Sequence, residues 1–92
     1  MPRMFKIGGY TIYFWMNEGS PVEPVHVHVV EGDPVSNATK IWITREHKAL
    51  LCHNISRIPN AKLLIIMRAV EARVEEIIAA WQKYFGEVKF YC

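Results

Sequence analysis

Apolar and polar residues alternate with period two over the first half of the chain and recur at helical spacing over the second. The clearest alternation runs from Val25 to Glu31. On a strand it sets His26, His28 and Val30 on one face and Val25, Val27, Val29 and Glu31 on the other. Valines suit a pleated, half-buried surface, so their face is the one that rests on a core. The two imidazoles then stand side by side, with Cα atoms about 6 to 7 Å apart, twice the rise of a strand. Pro24 bars pairing upstream because it has no N–H, and Gly32-Asp33-Pro34 supplies a turn downstream.

The same alternation predicts strands at Met4–Ile7 and Tyr10–Met16, joined by the two-residue loop Gly8-Gly9. In the second strand Ile12, Phe14 and Met16 share one face, and Thr11, Tyr13 and Trp15 the other. A fourth strand is predicted at Thr39–Ile43, with Ile41 and Ile43 toward the core and Lys40 and Trp42 away from it, and a fifth at Lys48–His53, with Cys52 as a core residue. The stretch from Asn17 to Pro24 is the longest predicted loop and is long enough to hang over the histidine pair.

Leu63, Met67, Val70, Val74, Ile77, Ile78, Trp81 and Phe85 then follow at helical spacing, with Lys62, Glu71, Arg73, Glu75, Glu76, Gln82 and Lys83 between them. The spacing predicts one long amphipathic helix ending at Gly86. Ser56 is the expected N-cap, with Pro59 in the first turn and Asn60 as a rival cap. Leu64 and Ile65 widen the apolar stripe, and residues 87–92 form a tail able to add a short strand or lie loose. Strands first and helix last predict an α+β fold: an antiparallel sheet of four or five strands packed against one long C-terminal helix.

At 92 residues the chain fits a single domain, residues 1–92, near the lower end of independent stability. A hydrophobic fraction of 51% and a mean hydropathy of +0.05 leave apolar surface for a second chain. A net charge of +2 is too small to argue by itself for wrapping nucleic acid. The two cysteines are too few for a disulfide scaffold and lack zinc spacing, which fits a reducing cytoplasm. The first six residues contain no signal-peptide apolar core, and no apolar run is long enough for a bilayer, so a soluble cytoplasmic protein is expected.

Phe5-Lys6-Ile7-Gly8-Gly9-Tyr10, Tyr13-Phe14-Trp15 before Asn17-Glu18-Gly19, Pro24-Val25-His26-Val27-His28-Val29 and Trp81-Gln82-Lys83-Tyr84-Phe85-Gly86, in this order, resemble the domain-of-unknown-function family DUF4160 over nearly the whole chain. The family pattern usually reads Pro-Pro-His-x-His-Val, and here Val25 stands in place of the second proline. The resemblance implies a small bacterial or archaeal protein, often encoded beside a second small domain, the pair forming a toxin–antitoxin candidate. It implies no activity.

Chemistry must therefore be read from the residues. His26 and His28 are candidate acid and base of a metal-free ribonuclease, since imidazoles titrate near neutral pH. Lys40 is the foremost candidate to stabilise the charge on phosphorus, with Arg3, Lys6 and Arg45 as others. Alternatively His26 and His28, with His53, Glu31 or a loop residue, hold a divalent metal with a position left for water. On the structural reading one histidine is hydrogen-bonded framework and the other an exposed strand residue. Tyr10, Tyr13, Trp15 and Trp42 either stack RNA bases or pack beneath the helix. The expected function is the toxin-like component of a toxin–antitoxin pair with a ribonuclease site, or else a non-catalytic protein-binding adaptor or metal-binding module. Expected partners are an antitoxin-like protein, a second copy of the chain, or RNA.

Overall fold

The computed structural model describes residues 3–14, 23–35 and 37–92, and of Arg3 and Met4 the backbone only. Five strands, β1 (Arg3–Ile7), β2 (Tyr10–Tyr13), β3 (His26–Glu31), β4 (Thr39–Ile43) and β5 (Ala49–His53), are followed by α1 (Asn60–Ala72) and α2 (Val74–Phe85). The strands form one antiparallel sheet in the order β1-β2-β3-β4-β5, so each pairs with its chain neighbour and β3 is central. The α+β class and the five strands match the sequence pattern. Gly8 takes φ 56° in the β1–β2 turn, where a side chain is disfavoured.

The helices cover one face of the sheet. Ile12, Phe14, Val25, Val27, Val29, Ile41 and Ile43 pack against Leu63, Ile66, Val70, Val74, Ile77 and Trp81 in one buried cluster. Leu64 and Ile65 stand outside it, 57% and 55% exposed.

Three local expectations need correction. The helix is not continuous: Arg73 leaves helical geometry at φ −114° and ψ 21°, and its N–H bonds to Val70 O at 3.1 Å before α2 begins. Neither Pro nor Gly is present to announce this kink, and the buried stripe passes through it unbroken. Tertiary contacts hold both sides of it. Glu71 Oε2 accepts the N–H of Ala49 at 2.8 Å, and the Arg73 guanidinium lies 4.5 Å from the centre of the Phe5 ring.

Ser56 does not cap the helix, because its hydroxyl is engaged with the sheet, 2.6 Å from that of Thr39 and 3.4 Å from Val29 O. Pro59 occupies the N-cap position without a side-chain cap, and Asn60 opens α1. Cys52 is exposed rather than core, since β5 is an edge strand on which Leu50 and Leu51 are exposed as well.

Gly86 closes α2 in the left-handed region at φ 80°, its N–H bonded to Gln82 O at 2.9 Å. The tail beyond it adds no strand but docks across the ends of β3 and β4. The Val25 N–H donates to Lys89 O and the Arg45 N–H to Cys92 O, both at 2.8 Å. Trp15, Met16 and residues 17–22 of the predicted loop lie outside the described residues. Among those described, no helix is long and apolar enough to cross a membrane.

Candidate functional site

Strand register builds the face opposite the helices. His28 of β3 lies between Tyr13 of β2 and Lys40 of β4, and His26 pairs with Trp42. Paired residues point to the same side of a sheet, so the two histidines, Tyr13, Lys40 and Trp42 share one face. This brings together the three residues singled out as candidate catalytic groups. His53 of β5 sits opposite Lys40 beside a register shift, half-buried, with Nδ1 enclosed and without a hydrogen-bond partner among the described residues.

His26 has no exposed surface. Its Nδ1–H donates to Pro24 O at 2.9 Å, which in the neutral ring makes Nε2 the acceptor. Around it stand the rings of His28 at 4.9 Å and 86°, Trp81 at 5.1 Å and 59°, and Trp42 at 5.5 Å and 81°. His28 is 7% exposed, with the Tyr13 ring 5.6 Å away.

Tyr13 is fully buried, and its hydroxyl donates to Val35 O at 2.8 Å. Burial pushes its phenol above the ordinary range, more than the hydrogen bond to Val35 draws it down.

Lys40 is near the pair but committed elsewhere. Its Nζ is 2.8 Å from Glu23 Oε1 and 4.4 Å from the centre of the Trp42 ring. Its charge is balanced by a carboxylate rather than open to a phosphate. Of the other candidate cations, Arg45 lies with its guanidinium 5.8 Å from the Phe90 ring and Lys6 is exposed on the edge strand β1, while the Arg3 side chain is outside the described residues. His47, in the β4–β5 turn at φ 64°, meets Glu75 Oε1 of α2 at 3.0 Å through Nδ1 and serves to dock that turn.

For a metal, His26 has only Nε2 left to offer, because Nδ1 is taken by Pro24. Glu31 points to the valine face and is exposed. Among the described residues no group of three or more His, Cys, Asp or Glu side chains is placed to hold an ion.

Two contributors were hidden in the sequence. Trp81 belongs by spacing to the helical stripe, yet its ring also reaches His26. Tyr91 comes from the tail and stacks on Trp42 at 4.9 Å and 1°. No periodicity in a six-residue tail signals such a contact. The clearest cavity, about 280 Å³, is elsewhere, between the β1–β2 turn and α1, lined by Ile7, Tyr10, Lys62, Ile65 and Ile66.

Compared with known families, residues 9–82 match the model of a domain of unknown function (DUF4160). The chain belongs to that family. The match runs from the β1–β2 turn into α2 and so includes both histidines and Trp81. Neither a curated protein nor a solved structure matches the chain.

Proposed function

We propose that the chain is one member of a two-protein pair of toxin–antitoxin type, that it acts by binding its partner, and that it performs no chemistry of its own. The observation that carries this reading is the state of His26. A general acid or base must come within hydrogen-bond reach of the proton it moves. His26 is fully enclosed, one nitrogen is held by Pro24 O, and three rings pack around the imidazole. Lys40, the cation nearest the pair by register, is held by Glu23. The role of His26 is then to order the face through its bond to Pro24 O and its ring contacts.

Apolar surface is meanwhile exposed elsewhere. Leu64 and Ile65 are consecutive on α1, and Ile55, just after β5, is 56% exposed. Apolar patches on a small protein mark interaction sites more often than isolated residues do.

The test is co-purification with the product of the adjoining gene, using wild type, Leu64→Glu, Ile65→Glu and His28→Ala. Loss of the complex in the two glutamate variants, with retention in His28→Ala, is expected. Wild-type protein should leave RNA intact, with or without added divalent metal.

A second reading has one observation in its favour: His28 retains some exposure beside Tyr13 and Lys40. RNA cleavage by the purified protein that disappears in His28→Ala, with an unchanged melt, would replace the binding reading with a ribonuclease. Sensitivity of that cleavage to chelator would further assign it to a metal at the histidines.

A further inference from the structure

The Trp42–Tyr91 pair differs from the other aromatic contacts around the core among the described residues. Those meet tilted or edge-on: Phe14 on Trp81 at 88°, Trp81 on Phe85 at 47°, His26 on Trp42 at 81°. Trp42 and Tyr91 lie parallel, 1° apart, with centroids 4.9 Å from each other. A flat ring laid parallel on an indole is the geometry of a stacked base on an aromatic platform.

The two rings are held very differently. Trp42 belongs to β4, is half-buried, meets the buried His26 ring at 5.5 Å and 81°, and carries the Lys40 ammonium 4.4 Å from its ring centre. It is a fixed platform. Tyr91 is 61% exposed and belongs to a tail whose backbone docks through the N–H groups of Val25 and Arg45. The same Arg45 places its guanidinium against Phe90 and has no ion pair among the described residues. Its charge, against the ring of the residue that precedes Tyr91, is therefore not matched by a described carboxylate, whereas that of Lys40 is matched by Glu23.

We propose that the Trp42 face is a stacking site for an unpaired base of single-stranded RNA, with Arg45 meeting the adjoining phosphate, and that Tyr91 fills this site as a built-in competitor. The site shares Trp42 with the ring packing around His26 but uses none of the exposed residues proposed to meet the partner, Leu64, Ile65 and Ile55, and does not depend on that binding. A stack reads no base edge, so binding is tolerant of sequence. One phosphate contact gives a shallow salt dependence, with log Kobs falling by about 0.7 per decade of salt.

The experiment is fluorescence anisotropy of a labelled single-stranded oligo-A octamer titrated with wild type, Tyr91→Ala, the double variant Tyr91→Ala/Trp42→Leu, and Tyr91→Ala/Arg45→Ala. Removing the competitor should tighten binding roughly five-fold or more, because a larger share of molecules then has the platform open. Losing the indole from that background should weaken binding by at least about five-fold, the small end of what one base stack is worth. Losing Arg45 should flatten the salt slope. If Trp42→Leu melts with the fold, Trp42→Phe keeps an aromatic face and should keep most of the affinity.

Equal affinity of wild type and Tyr91→Ala overturns the proposal, whatever the Trp42 variants do. So does weaker binding by Tyr91→Ala, which would make Tyr91 part of the platform and not its occupant. A gain in Tyr91→Ala seen with N-acetyl-tyrosinamide but not with the octamer would give the slot to an aromatic side chain of a protein and equally end the RNA assignment.

Discussion

Trp81 joins the two faces of the sheet, and its truncation tests the packing most directly. Its side chain is fully buried, with ring centroids at 4.3 Å from Phe85, 5.1 Å from His26 and 5.2 Å from Phe14. Replacing a core tryptophan by alanine costs about 3 to 5 kcal/mol, because the cavity it leaves collapses only in part. One local feature lowers that figure. The indole Nε1–H is buried with no hydrogen-bond partner among the described residues, and such a donor costs the folded state about 1 to 3 kcal/mol, which any substitution deleting it returns. Trp81→Ala should therefore lose about 3 kcal/mol, toward the low end of the range. Trp81→Phe, which removes the same N–H and keeps a six-membered ring, should lose about 1 kcal/mol or less. A domain of this length is stable by about 5 to 14 kcal/mol, so the alanine variant gives up a fifth to more than half of its margin. Urea melts followed by far-ultraviolet circular dichroism give both values. Equal losses in the two variants, or an alanine variant within about 0.5 kcal/mol of wild type, would refute the reasoning.

Tyr13→Phe should cost about 0.5 to 1.5 kcal/mol at neutral pH through the lost bond to Val35 O. The Tyr13 pKa is raised on folding, so its contribution is fully present below the unfolded phenol's value near 10 and is lost as pH rises through the folded one. The stability difference between wild type and Tyr13→Phe should accordingly shrink above pH 10 and be constant from pH 6 to 9. Glu71→Ala strands the Ala49 N–H and should lower the unfolding free energy from urea melts by about 1 to 3 kcal/mol, whereas Glu71→Gln, which keeps an acceptor oxygen, should lose less than half of that. In native-state hydrogen exchange the amides of Val27 and Ile41 should open only with global unfolding. Those of Val25 and Arg45, whose acceptors belong to the tail, should open at visibly lower free energy.

The sheet was legible because its signals are local. Val25, Val27 and Val29 declare their face by alternation, Gly8-Gly9 declares a turn, and the sign of each residue's face propagates from strand to strand. The buried helical residues Val70, Val74, Ile77 and Trp81 were equally open to reading. The kink at Arg73 was not, because a continuous stripe and good helix formers on both sides of it hide a break imposed by Glu71 and Arg73 reaching the sheet. Ser56 misled for a related reason: a hydroxyl that suits an N-cap also suits Thr39 and Val29. Cys52 was misplaced because an apolar strand reads the same at an edge as at the centre. At the histidines, alternation put both rings on one face and turned Lys40 away from the core, but the register that brings Lys40 opposite His28 depends on turn geometry, and nothing in the pattern told that Pro24, Trp81 and Glu23 would engage them.

The residues before β3 show how one local arrangement serves both the strand and the tail. Pro24 has no N–H, so the ladder cannot extend through it, and its carbonyl is taken by the His26 ring two residues on. Val25 is left with an N–H outside the β3 ladder, and that group reaches Lys89 O. Val25→Pro deletes this single donor while leaving every ladder bond of β3 in place. Its expected cost to global stability is about 1 to 2 kcal/mol, from trimming a fully buried valine. The tail should respond more sharply than the fold. With one of its two backbone anchors gone, the Arg45 amide should lose protection out of proportion to the shift in the melt, and the Tyr91 ring should leave Trp42 for a larger share of the time. If Arg45 keeps its wild-type protection in Val25→Pro, the tail is held by its side chains, Val88 and Phe90 against the core, and not by the backbone bond that the Pro24–His26 arrangement sets free.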